Sequence, residues 1–163
     1  METLSYSIWR SPVGPLTLVA SERGLLRLEF GQSRIQGALP SDEKLAPWRR
    51  QLEKYFAGAL RAFTLPLDLR GTDFQLRCWR ALLAIPYGET RTYAEQARTV
   101  GQPLAFRAVG MANHDNPIAI VVPCHRVINT GGKLGGYGGG LGLKRRLLDL
   151  ERGQAVLVSA ANI

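Results

Sequence analysis

Thr92-Tyr93-Ala94-Glu95-Gln96-Ala97-Arg98-Thr99-Val100-Gly101-Gln102-Pro103-Leu104-Ala105-Phe106-Arg107-Ala108-Val109-Gly110-Met111-Ala112-Asn113 decides how the C-terminal half folds. Thr92 and Glu95 have the spacing of a capping box, so a short helix starts there and stops before Gly101. Pro103 is expected to open a second helix over 103–113, because its fixed φ suits a first helical turn. Two short helices joined by a glycine-containing turn outline a helix-turn-helix. Taken alone, that outline also fits an ordinary packed helical pair.

Upstream, Thr72-Asp73-Phe74-Gln75 is another capping box, and Trp79, Leu82 and Leu83 give its helix an apolar face until Pro86 and Gly88 end it. Cys78, between Leu76 and Trp79, reads as a small buried hydrophobe. The texture before residue 71 differs. Ser5–Trp9, Leu16–Ala20 and Leu25–Phe30 read as strands separated by Pro/Gly turns, a three-stranded antiparallel meander. Residues 31–43 read as polar and irregular. Trp48, Leu52, Tyr55 and Phe56 make a helical stripe that packs into a core and stops at Gly58. Phe63–Leu69 reads as a short strand or an extended linker. These patterns predict an α/β N-terminal domain over 1–70, with an antiparallel sheet, and a mainly α C-terminal domain over 71–163.

Downstream, the apolar run Ile118-Ala119-Ile120-Val121-Val122 reads as a buried, strand-like segment leading into Pro123-Cys124-His125-Arg126-Val127. A thiol at the end of such a run can be rigid, desolvated and still open to a pocket. A neighbouring histidine supplies a base, and the thiolate is the reactive form. Cys124 therefore reads as a hydrolase nucleophile, a redox thiol or an alkyl acceptor. The redox reading lacks a Cys-x-x-Cys partner. Neighbours along a strand point to opposite faces, so His125 is expected to reach Cys124 through a water, with Glu151 orienting the imidazole. The glycine-dense stretch Gly131–Gly142 holds a single aromatic, Tyr137, suited to walling a flat ligand. A last helix, Leu143–Arg152, is expected to bury Leu143, Leu147, Leu148 and Leu150 and to turn Lys144, Arg145 and Arg146 to solvent.

The 163 residues suffice for one or two cores. Net charge is +8, with 11 Lys/Arg against 6 Asp/Glu over 71–163 and 10 against 7 before it, which favours an anionic partner. Two cysteines and two histidines at scattered positions make a poor metal site, and no metal is expected. The longest apolar runs are too short to span a membrane. Met1–Tyr6 has neither a basic n-region nor an apolar h-region, so a cytoplasmic location is expected.

Pro123-Cys124-His125-Arg126-Val127, with Asn116-Pro117 before it and Tyr137-Gly138-Gly139-Gly140 after it, resembles the active-site block of the O6-alkylguanine-DNA alkyltransferases. Phe74-Gln75, Trp79, Ile85-Pro86-Tyr87-Gly88-Glu89-Thr90, Thr92-Tyr93 and Arg107-Ala108-Val109-Gly110 extend the likeness over 71–153. Ser11–Leu16 and Tyr55–Gly58 carry it more loosely into the N-terminal part, implying a ribonuclease H-like fold there.

The resemblance implies repair of O6-alkylguanine, and of O4-alkylthymine, in double-stranded DNA. Cys124 would accept the alkyl group once, irreversibly and without a cofactor, after the base is flipped out. His125 would be the water-mediated base, oriented by Glu151. Tyr93 would donate to guanine N3 and crowd the phosphate, and Asn116 would be a hinge between recognition helix and active-site strand. Main-chain groups of Cys124, Val127 and Gly138 would read the guanine edge, with Tyr137 flanking its ring and Gly139 in the wall beside it. Arg107 would fill the gap left by the base, with Ala108 next to it on a helix that enters the minor groove. The family implies a monomer in solution, with cooperative assembly on DNA left open. Phe106 departs from the small residue common there, and is expected to pack inward or to widen the helix spacing. A module that only flags alkylated DNA and a cysteine hydrolase are the rival readings.

Overall fold

The computed structural model describes residues 2–153. Strands β1 (Leu4–Ser11), β2 (Gly14–Ala20) and β3 (Leu25–Phe30) form the expected antiparallel meander. A fourth strand, β4 (Ala38–Pro40), lies parallel to β1 and makes the order β3-β2-β1-β4. It falls in the stretch read as irregular, because three residues ending in proline show no alternation.

Helix α1 (Asp42–Phe56) starts earlier than its apolar stripe suggested. Ser41 caps it by accepting from the Lys44 N–H, and Asp42 and Glu43 suit the positive end of the helix dipole. Its Leu45, Trp48, Leu52, Tyr55 and Phe56 are buried at helical spacing in a core shared with Leu16, Leu18, Leu25 and Leu28 of the sheet. Residues 63–69 form an extended linker that touches the sheet at one bridge, Leu67 with Leu25.

Beyond the linker, α2 (Asp73–Leu83) and α3 (Tyr93–Thr99) each begin with a complete capping box, Thr72 with Gln75 and Thr92 with Glu95. Helix α4 spans Phe106–His114 rather than starting at Pro103. Pro103 instead occupies the second place of a turn closed by the Ala105 N–H on Gln102 O at 2.9 Å, a role its φ serves equally well. Buried side chains lock the three helices. Gln96 and Asn113 exchange amide hydrogen bonds of 2.9 and 2.8 Å, and Trp79 Nε1 donates to Ala112 O at 2.8 Å.

The two halves share one core, which the strand-like run Ile118–Val122 joins in an unexpected way. Only its first residue behaves as a strand: Ile118 bridges Leu28, with the Leu28 N–H on Pro117 O and the Ala119 N–H on Leu28 O. The chain then folds tightly. The Val121 N–H bonds Ala119 O around Ile120, whose φ is +71°, and the Cys124 N–H bonds Val122 O around Pro123 at φ −84°, ψ 65°. Both are three-residue γ-turns, the first of the rare, strained hand. Continuous apolar character reported burial here, not strand geometry.

The short parallel pair β5 (Arg91–Thr92) and β6 (Val127–Ile128) ties the start of α3 to the chain just after Cys124. Helix α5 (Leu141–Glu151) closes the fold. The part of the expected C-terminal domain over 154–163 lies outside the described residues.

Candidate active site

The second γ-turn delivers Cys124 into a single 3-10 turn, Cys124–Arg126, instead of the end of a strand. Successive side chains there are about 120° apart, so Cys124 and His125 diverge for a different reason from the one the strand reading supplied. Among the described residues no hydrogen bond joins them. Cys124 Sγ instead accepts from Asn116 Nδ2 at 3.2 Å. The same amide nitrogen donates to Val122 O at 2.8 Å, and Asn116 Oδ1 accepts the Ile118 N–H at 3.0 Å. Asn116, two residues past α4, thus gathers both ends of the folded apolar loop at the sulfur. Burial pushes the Cys124 thiol up, against the pull of the Asn116 hydrogen bond and the Lys144 charge. The resting sulfur is a thiol, and its proton must be removed for it to react.

His125 is 0% exposed, and its Nε2 lies 2.6 Å from Glu151 Oε2. Arg126 Nε donates to Glu151 Oε1 at 2.7 Å and its terminal nitrogen to Oε2 at 3.1 Å. Tyr55 Oη donates to Oε2 at 2.6 Å across the two halves of the chain, and Arg126 also donates to Ile85 O at 2.8 Å. Burial opposes ionisation of Glu151, but the His125 and Arg126 hydrogen bonds and charges outweigh it and bring its pKa to about 2. The ionised carboxylate assigns the imidazole proton to Nε2 and leaves Nδ1 as an acceptor. Burial lowers the His125 pKa against the pull of Glu151, with Arg126 and Lys144 adding to the lowering. A neutral imidazole with a free Nδ1 can accept a proton.

Cys124 lines a cavity of about 130 Å³ together with Tyr93, Gly110, Asn113, His114, Gly136, Tyr137 and Gly138. Tyr93, the first residue of α3, is half-buried, and burial and then the nearby Cys124 raise its pKa, keeping its hydroxyl protonated. Tyr137 packs edge-on to Phe30 of β3 at 5.9 Å and to the His125 ring at 6.4 Å between centroids. Two buried polar atoms, Tyr137 Oη and His125 Nδ1, have no hydrogen-bond partner among the described residues. A side chain at Gly138 would meet nothing within 4 Å, whereas one at Gly139 would press within 2.6 Å of Leu143 Cδ2 and 3.0 Å of Phe30. Gly139 therefore serves packing against the sheet, and Gly136 and Gly138 form the wall. Val127 is also off the wall: it is fully buried, its N–H bonds Cys124 O, and its carbonyl accepts from Lys144 at 2.6 Å. Arg107 and Ala108 lie exposed on α4 and take no part in the cavity wall.

Three participants escaped the sequence reading. Lys144, expected in solvent, is 0% exposed; its Nζ donates to the carbonyls of Val127, Leu134 and Gly136 and sits 6.0 Å from the centre of the Tyr93 ring. It pins the glycine-rich loop to β6. Burial, against the Cys124 field, lowers its pKa to about 8. The available signal was spacing: Lys144, Leu147, Leu148 and Glu151 fall at i, i+3, i+4 and i+7, one helical stripe with a charge at each end. Arg126 and Tyr55 stood in motifs already noted, but nothing local showed that both would converge on Glu151. Phe106, expected to pack inward or to widen the helix spacing, does not pack inward: it is 50% exposed.

A thiol in a tight turn, a buried imidazole–carboxylate pair and a cavity beside a helix-turn-helix fit a DNA-binding protein with a nucleophilic cysteine. Residues 73–153 match the family model described as the 6-O-methylguanine DNA methyltransferase DNA-binding domain, and residues 4–69 match its ribonuclease-like domain. The chain belongs to this methyltransferase family. It is 53% identical to a methylated-DNA–protein-cysteine methyltransferase of Methanosarcina barkeri, over 90% of this chain and 96% of that protein. It is 52% identical to the one from Mycobacterium bovis, over 93% and 94%. A crystal structure of Mycobacterium tuberculosis OGT in complex with DNA superposes with a TM-score of 0.88 at 53% identity, covering 93% of this chain and 94% of that one. The α/β and helical halves thus have the folds expected of them.

Proposed function

We propose that this protein repairs duplex DNA by moving the alkyl group of O6-alkylguanine, and of O4-alkylthymine, onto Cys124 in a single irreversible turnover. Family membership supports the reaction class, and the observation that carries the residue assignment is Cys124 Sγ held by Asn116 in the one cavity wall that also presents Tyr93 and Tyr137. Sγ attacks the alkyl carbon as the carbon–O6 bond breaks. The thiol proton passes to His125 Nδ1 through a water, guanine takes a proton at N3 from Tyr93 as it leaves, and the imidazolium then returns its proton through water to the Tyr93 phenolate. Net, the thiol proton ends on guanine and the alkyl group on sulfur. The two unpartnered buried polar atoms, His125 Nδ1 and Tyr137 Oη, are where a relaying water would be held. Glu151 orients the imidazole, with Arg126 and Tyr55 holding the carboxylate in place.

The thioether has no good leaving group, so the protein acts once. No cofactor takes part in these steps. Arg107 fills the vacated stack, and Ala108 lets α4 approach the minor groove. Main-chain groups of Cys124 and Gly138 read the base edge; Val127 and Gly139 support this wall from behind. The small residues Gly110, Gly136 and Gly138 leave room for adducts larger than methyl. The working unit is a monomer of two domains, 1–70 and 71–163, a division supported by the two family models meeting between residues 69 and 73.

Cys124→Ser tests the assignment. The variant should bind alkylated duplex with unchanged affinity and lose transfer by at least 10³-fold, since a serine hydroxyl is far less acidic than a thiol. Transfer that survives the substitution would remove Cys124 from the reaction.

A further inference from the structure

We infer that Phe106 is a stacking wedge for duplex DNA, inserted beside the base step that the lesion leaves. This rests on the repair reading above. Helix α4 buries Val109, Ala112 and Asn113 and turns its other faces out. Phe106, Gly110 and Asn113 fall at i, i+4 and i+7, one row along the helix. Gly110 and Asn113 of that row line the Cys124 cavity. Phe106 therefore stands one helical turn beyond the cavity wall, at its rim, on the cavity side of Arg107.

Nothing inside the protein accounts for this side chain. It is 50% exposed and is not among the residues that pack against the core. No aromatic or cationic partner approaches its ring among the described residues. Leu104, 91% exposed, and Met111, 60% exposed, are further apolar side chains left uncovered on this segment. Between Gln102 and His114 the only formally charged side chain is Arg107, and no carboxylate occurs to repel a phosphate backbone. A segment with exposed apolar side chains and one cation, whose nearest carboxylate in sequence is Asp115 beyond the end of α4, suits nucleic acid beside a cavity that must receive an extruded base.

Proteins that open the minor groove push apolar side chains between base steps, and an aromatic ring stacks on any base it meets. Phe106 would cover the base that adjoins the vacated position while Arg107 occupies the position itself. Its contribution is then made to duplex opening and not to the transfer step.

The experiment compares transfer rates of wild type, Phe106→Ala, Phe106→Leu and Phe106→Trp on a duplex carrying one O6-methylguanine and on free O6-benzylguanine. Emission from 2-aminopurine placed next to the lesion reads unstacking. Phe106→Ala should lower the ratio of duplex to free-base rate about tenfold and lower the 2-aminopurine signal to match. Leucine should be intermediate and tryptophan should restore the ratio. An unchanged ratio, or equal losses on both substrates, would overturn the wedge. Failure of wild type to take methyl from the duplex would sink the repair reading itself, which separates the two outcomes.

Discussion

Glu151 shows how much one buried residue decides. It accepts from His125, Arg126 and Tyr55 at once, so its charge is compensated and its direction fixed. Glu151→Gln would leave Arg126 as an uncompensated buried cation, with an expected stability loss of about 3–5 kcal/mol in denaturant titration. The transfer rate should fall as well, because the amide no longer assigns the imidazole tautomer. His125 gives a second prediction. Its pKa is depressed, so it is neutral at pH 7 and loses its role only when protonated. The transfer rate should therefore stay flat as pH drops through the ordinary histidine range near 6.5 and fall only below it. A rate that falls already at pH 7 would contradict a neutral His125 in the resting protein.

Helices α1 and α5 and the Cys124–Arg126 turn meet at that carboxylate, and the sheet half reaches the chemistry through α1. Tyr55→Phe removes only the phenolic hydroxyl. The expected loss is about 1.5–3 kcal/mol, the range for a hydrogen bond to a charged group, seen in thermal or denaturant unfolding and accompanied by slower transfer. Helix α5 acts a second time through Lys144. Lys144→Met would free the carbonyls of Leu134 and Gly136, and amide exchange across 134–138 should speed up while that in α2 stays unchanged.

Elements whose signals are local were legible in the sequence: both capping boxes, the meander and the aromatic stripe of α1. Elements set by distant contacts were not. The run Ile118–Val122 is buried on all sides, and apolar continuity cannot distinguish a strand from two γ-turns pinned by Asn116 and the edge of β3. The start of α4 was misplaced because proline's φ serves a turn and a helix start alike. At the site, Cys124, His125, Glu151, Tyr93, Tyr137 and Asn116 were named from motifs and do come together. Lys144, Arg126 and Tyr55 were not, since their roles exist only once α1, α5 and the turn have packed.

The whole molecule binds its chemistry to its stability. Glu151 ionises near 2 when folded and near 4.5 when unfolded, so its contribution, about 3 kcal/mol, is present above pH 4.5 and lost as pH falls towards 2. Lys144 works at the other end: charged below about 8 at a cost, it makes stability rise with pH between about 8 and 10.5. An unfolding midpoint insensitive to both windows would remove these residues from the buried network. The net charge of +8 adds a salt dependence, with affinity for duplex falling as ionic strength rises.

The most direct measurement is the mass of the tryptic peptide containing Cys124 after the protein is mixed with excess duplex carrying one O6-methylguanine. The expected result is one methyl group on that peptide per protein molecule, guanine restored in the DNA, and no second turnover. An unmodified Cys124 with the lesion bound and intact, or methyl released over many turnovers, would contradict the single-use acceptor.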